Sequence, residues 1–107
     1  MKSGGHIYIL ANRKNGALYI GSTSDLIGRI VQHKNKEIPG HTSKYSIDKL
    51  MHFEWYDSLE DMVKRERELK EWKRYWKIKL IEKENPDCDD LFNYVLNLHG
   101  YSSFDEI

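Results

Sequence analysis

Tyr8 and Tyr19 are the residues whose type and placement first suggest chemistry. Each lies in a short apolar stretch, Ile7 to Ala11 and Ala17 to Ser22, separated by the polar segment Asn12-Arg13-Lys14-Asn15-Gly16. An apolar run, Asn-Gly and a second apolar run specify a β-hairpin, because Asn and Gly tolerate the positive φ of a tight turn. With an even number of loop residues, positions of opposite parity face each other, so both phenols leave the same sheet face unless a bulge intervenes. Two phenols on one face, with a helix starting just beyond, form the floor of a candidate active site.

Three further positions depart from their local pattern. Arg29 and His33 are spaced i, i+4 and share one helix face beside Leu26 and Ile30. A guanidinium there could hold a phosphate bidentately, and an imidazole could act as base, acid or phosphate donor. The same pair also fits two side chains snorkelling at an apolar boundary. Glu66 stands inside the arc of Leu59, Met62, Val63, Leu69 and Trp76, where an apolar residue belongs. A carboxylate so placed is paired, protonated or metal-bound, since a desolvated lone charge is costly. An ion pair with a nearby Arg or Lys, or a rotated helix, would equally explain it, and Lys73 falls in the same arc. Asn85, before Pro86, reads first as a helix cap, and a capping Asn can also position a carboxylate or phosphate. Tyr45 follows the basic loop Pro39 to Lys44 and either lines a nucleic-acid groove or packs at a strand start.

The elements that must position these groups follow from patterning. Ser22-Thr23-Ser24-Asp25 supplies N-cap candidates for a helix reaching about Lys36, with Gly28 as an unfavourable interior residue. Pro39 to Lys44 reads as a polar loop, and Ile47 to Tyr56 as a third strand with Ile47, Met51, Phe53 and Trp55 on one parity. Ser58-Leu59-Glu60-Asp61 resembles a capping box and opens one long helix to about Glu82, its buried stripe being Leu59, Met62, Val63, Leu69, Trp76 and Leu80. Trp72, Tyr75 and Trp76 read as core and rim, and Cys88 as a small residue in a helix turn. Asn85-Pro86 opens a short helix to about Leu96, after which a loose tail is expected. The predicted order is ββαβαα, an α/β (α+β) domain around a three-stranded antiparallel sheet flanked by helices.

Composition bounds the class. The chain has 107 residues, 39% hydrophobic and 32% charged, as expected of one globular domain. No apolar run approaches membrane-spanning length, and the start MKSGGHIYIL lacks a signal peptide's apolar region. The single cysteine, Cys88, excludes an intrachain disulfide and a cysteine-based zinc site and fits a reducing cytoplasm. The net charge is zero, yet residues 1–81 hold 16 Lys and Arg against 10 Asp and Glu, whereas residues 82–107 hold 1 against 7. A basic body with an acidic tail suits a polyanion-binding surface, and solvated charged faces would read the same.

Together these residues resemble the GIY-YIG nuclease family, in particular its small stand-alone bacterial members, over about residues 5–92. The resemblance rests on Ile7-Tyr8-Ile9-Leu10, Gly16-Ala17-Leu18-Tyr19-Ile20-Gly21-Ser22-Thr23, and Asp25-Leu26 with Arg29 and His33. Thr42-Ser43-Lys44-Tyr45, Arg65-Glu66 with Leu69-Lys70 and Trp72, and Asn85-Pro86 with Asp90-Leu91 continue it in order. It implies a nuclease-like domain over residues 1–95, an acidic tail over 96–107, and one divalent ion, Mg²⁺ or Mn²⁺. Glu66 would be the metal ligand, Tyr8 the group that activates water, and Tyr19 the phenol that orders water or substrate. Arg29 would stabilise the phosphate, His33 would occupy a catalytic His or Tyr position, and Asn85 would close the site. Nucleic acid would meet Arg29, His33, Lys44 and Tyr45. Departures are His6 at the first position of the family's first triplet, Gly28 where a second arginine is common, and Cys88-Asp89 in place of Trp-Arg.

The function so implied is a metal-dependent endonuclease acting on DNA, with RNA left open and no membrane partner. A phosphate-contacting domain of this size has no separate reading module, so its sequence specificity should be low. Its rivals are a nucleic-acid-binding module of the same fold that cleaves weakly or with a partner, and an interaction protein whose acidic tail recruits a basic partner.

Overall fold

A computed structural model describes residues 4–101, and its chain opens with the hairpin. Strand β1 (Gly5–Ala11) pairs antiparallel with β2 (Leu18–Thr23), Ala11 opposite Leu18 and His6 opposite Thr23. In the loop, Asn15 takes the left-handed conformation at φ 58 and Asn12 Oδ1 accepts from Ala17 N at 3.0 Å. Gly16 instead serves close approach, because a Cβ there would collide with the Asn12 side chain. Strand β3 (Lys49–Tyr56) pairs antiparallel with the other edge of β1, so the sheet order is β2-β1-β3.

The expected single parity along β3 does not hold. Ile9 faces His52 and Leu10 faces Leu50, so Met51 is an extra residue, a β-bulge. It turns Met51 to the face of Ile7 and Ile9, while Ile47 and Phe53 lie on the face of Tyr8 and Leu10.

Helices cover both faces. Helix α1 (Leu26–Lys34) is capped by Asp25, whose Oδ1 accepts from Gly28 N at 3.1 Å, and packs with α5 (Phe92–Leu98) over the Tyr8 face. The segment read as a polar loop contains a helical turn, α2 (His41–Lys44). Helix α3 (Leu59–Glu71), capped by Ser58, packs over β1 and β2. The predicted long helix is broken: Trp72 and Lys73 are both extended, and α4 (Arg74–Glu84) starts anew against β3. The break re-aims the chain along one face of the sheet, from above β1 and β2 to β3. Leu59, Val63 and Trp76 are exposed at 45%, 42% and 57%, so the buried stripe reduces to Met62 and Leu69, with Ile81 from α4.

Polar side chains fasten the edges. Glu54 accepts from Arg65 Nε at 2.9 Å, from Arg65 Nη2 at 3.2 Å and from the Tyr56 hydroxyl at 2.7 Å, tying α3 to β3. Burial opposes ionisation of Glu54, but bonds from His52, Arg65 and Tyr56 outweigh it and hold its pKa at about 2. Along the outer edge of β3, Asp90 Oδ1 accepts from Leu50 N and from Phe92 N, both at 3.0 Å, and its Oδ2 pairs with Lys34. The edge is thereby closed to further strand pairing at Leu50.

Asn85 does not open a helix. It is the C-cap of α4, and α5 begins only at Phe92. That helix runs past residue 95 to Leu98, with Leu96 fully buried among Tyr8, Leu10 and Ile30; residues 102–107 of the expected tail lie outside the described residues. Among the described residues no helix is long and apolar enough to cross a membrane. Leu96→Ala should cost about 2–5 kcal/mol, read from the urea midpoint. An unchanged midpoint would place Leu96 outside the core.

Candidate active site

The hairpin register places Tyr8 opposite Gly21 and Leu10 opposite Tyr19, so both phenols occupy one sheet face, with ring centroids 6.4 Å apart. Tyr8 is fully buried, and a buried hydroxyl needs a partner. It finds one in His33, Oη to Nε2 at 3.2 Å, and the other imidazole nitrogen meets Thr42 Oγ1 at 3.2 Å. The Tyr19 ring lies 5.5 Å from the His33 ring, completing an aromatic cluster. Gly21 makes this possible: a Cβ there would stand 2.5 Å from Tyr8 Oη and 3.1 Å from the Tyr19 ring.

Electrostatics sort the cluster. Burial and the neighbouring Tyr19 push the Tyr8 phenol up to about 12, while Arg29 beside it pulls the other way. Burial, then Arg29, lowers the pKa of His33, so the imidazole is neutral at neutral pH. Arg29 is half-buried and bears on both groups from one turn up α1.

Glu66 enters from the other face of β2. Ser22, next to Gly21 and so pointing the opposite way, donates from Oγ to Glu66 Oε1 at 2.7 Å. Lys70 pairs with Oε2 at 2.9 Å. Burial works against the Glu66 charge, but the bonds from Ser22 and Lys70 prevail and hold its pKa below the ordinary value. Its charge is among the influences that raise the Tyr8 phenol, so the two groups share one electrostatic field. The ion pair anticipated for a carboxylate on this stripe is therefore present, together with a hydroxyl bond that local patterning did not suggest.

Among the described residues no three His, Cys, Asp or Glu side chains converge as a ready metal cage. One ionised carboxylate with the Ser22 hydroxyl beside it nonetheless fits a hard divalent ion, which binds oxygen and keeps several waters. Lys70 already places positive charge on that carboxylate from a stem that is 55% exposed, so it can give way.

The remaining candidates divide. Lys44 and Tyr45 are exposed at the end of α2, the ammonium 5.3 Å from the Tyr45 ring, on the turn whose Thr42 holds His33. Asn85 is not brought to the cluster. It is buried at the outer edge of β3, where Nδ2 donates to Met51 O at 3.2 Å and Asp89 O at 2.9 Å, and Oδ1 accepts from Asp89 N at 3.1 Å. Ser22 and Thr42 were missed as positioning residues. Ser22 looked like a cap candidate, and only its parity opposite Gly21 could have betrayed it.

A small antiparallel sheet with helices on both faces, carrying a buried Tyr-His pair and a carboxylate across one strand, defines the class. The sequence profile of the GIY-YIG catalytic domain matches residues 4–79, and the chain belongs to that family of nucleases. It is 33% identical to a UPF0213 protein of Staphylococcus saprophyticus over 71% of this chain and 93% of that one. It is 34% identical to a UPF0213 protein of Syntrophus aciditrophicus over 77% and 93%. The solution NMR structure of a UPF0213 protein from Bacillus halodurans is similar at 28% identity, TM-score 0.47, over 74% of this chain and 83% of that one.

The lowered His33 pKa carries a stability prediction. Below pH 6.5 the unfolded chain takes a proton on this imidazole that the native cluster resists, so stability falls as pH drops from there toward the depressed native value. Tm should decline from neutral pH toward pH 5, and His33→Gln should flatten part of that slope. His6, lowered by burial and by His99, should supply some of the remainder. An identical slope in the variant would contradict the assignment.

Proposed function

We propose that this protein is a divalent-metal-dependent endonuclease that hydrolyses phosphodiester bonds in DNA, with little sequence specificity of its own, in repair or recombination. The observation that carries this reading is the Tyr8 hydroxyl bonded to a neutral His33, with Arg29 beside it and the Glu66 charge felt through the sheet. Mg²⁺ or Mn²⁺ held through Glu66 would supply Lewis acidity at a phosphate oxygen.

The chain's own groups do the rest. Arg29 offers charge-assisted hydrogen bonds to the phosphate and stabilises charge developing there. A phenol held near pKa 12 is a poor base alone. Paired with His33 it can take a proton from water as it passes its own to Nε2, provided Nδ1–H donates to Thr42. Thr42 would then fix the tautomer that keeps Nε2 free to accept. Tyr19 orders the water or substrate, Lys44 and Tyr45 take the backbone of the bound strand, and Asn85 supports the site at a distance by holding the β3 edge.

The second reading, a nucleic-acid-binding module with weak or partner-dependent cleavage, draws on the same cluster: Tyr8 is protonated at rest and Glu66 is already paired with Lys70. Nicking of supercoiled plasmid separates the two. Wild type should nick with Mg²⁺ or Mn²⁺ and stop with chelator, and a folded Glu66→Ala should lose at least about a hundredfold. Equal residual nicking by both proteins would sink the enzyme reading.

A further inference from the structure

Of the three aromatic residues expected in the core and rim, Trp72 is partly buried against the Ile7–Ile9 face, whereas Tyr75 and Trp76 stand on the surface of α4. Tyr75 and Trp76 are 61% and 57% exposed, their rings 5.4 Å apart in an edge-on arrangement. Trp72 and Trp76 line an apolar slot between them, and the Arg65 guanidinium lies 5.1 Å from the centre of the Trp72 ring. An indole exposed to this extent, beside an exposed phenol and an apolar slot, offers a flat face for stacking.

The surrounding charge says what that is. Residues 70–79 hold Lys70, Lys73, Arg74, Lys77 and Lys79 against Glu71 alone. The Lys79 ammonium lies 5.3 Å from the Tyr75 ring. The patch is continuous with the candidate active site: Lys70 pairs with Glu66, and Lys77 Nζ reaches the Lys70 carbonyl at 3.5 Å. Arg74 donates to Gly16 O at 2.6 Å, which joins the patch to the hairpin loop bearing Arg13 and Lys14. Cations that follow a backbone, with flat rings between them, are the means by which proteins hold unpaired nucleotides. Bases of a paired duplex are already stacked and present no free face to an indole.

We propose that the Trp72–Trp76 surface binds an unpaired DNA strand and leads it toward Glu66. This builds on the DNA reading above and narrows the substrate to DNA with a single-stranded segment. Phosphates run along Lys70, Lys73 and Lys77 while a base enters the Trp72–Trp76 slot.

The test uses the full chain carrying Glu66→Gln, in chelator, so that binding is read without cleavage and stands or falls apart from nuclease activity. A fluorescein-labelled oligothymidylate dodecamer is titrated by anisotropy, beside a blunt hairpin duplex. The oligothymidylate should bind more tightly than the duplex, with affinity falling as salt rises and with quenching of tryptophan fluorescence. Adding Trp76→Ala should weaken oligothymidylate binding at least about fivefold, and Trp76→Phe should restore most of it. Tyr75→Ala provides a second variant at an exposed position, with a smaller loss expected. Unchanged affinity in a folded Trp76→Ala, or an equal loss on the duplex, would overturn the proposal. So would a change in self-association with no change in oligonucleotide binding, which would assign the surface to a second copy of the chain.

Discussion

Gly21 and Ser22 are neighbours on one strand, and the two-residue period of a strand sends them to opposite faces. Gly21 presents bare backbone beneath the Tyr8 hydroxyl, and Ser22 bonds Glu66 on the far side. The Tyr8 cluster and the Glu66 ion pair are therefore joined through adjacent residues of one strand. Much of the remaining structure answers the consequence of burying that phenol. A hydroxyl removed from water without a partner costs roughly 1–3 kcal/mol, so His33 is drawn to Tyr8 and Thr42 to His33. Those contacts tie β1 to α1 and α1 to the turn at α2.

A three-stranded sheet has two edges and two faces to protect. α1 and α5 cover one face, α3 and α4 the other. Asp90 and Asn85 satisfy backbone groups of β3 at its open edge, and the Glu54 network fastens α3 across the sheet. With the frame held in this way, burial and charge separate the titrating groups. At neutral pH the cluster holds a protonated phenol, a neutral imidazole and an ionised carboxylate. Environments that push pKa values apart assign acid and base roles to like groups.

The hairpin, the shared face of the tyrosines and the helix face of Arg29 and His33 were legible in the sequence because each rests on local periodicity. Glu66 was legible as an anomaly, although most of the stripe that defined it proved exposed; Met62 and Leu69 alone preserve the inference. What escaped depends on distant contacts. The bulge at Met51 has no glycine or proline to mark it, and neither does the break at Trp72-Lys73. Asn85 caps the end of α4 rather than the start of the next helix, because its side chain is claimed by the carbonyl of Met51 from another part of the chain.

In the proposed reaction Tyr8 and Glu66, on opposite sides of the hairpin, act on one phosphodiester. A double-mutant cycle on the plasmid nicking rate, using Tyr8→Phe and Glu66→Gln, measures that coupling. If the two groups serve one transition state, the double variant should be scarcely slower than the worse single variant. Losses that multiply independently would contradict a shared site.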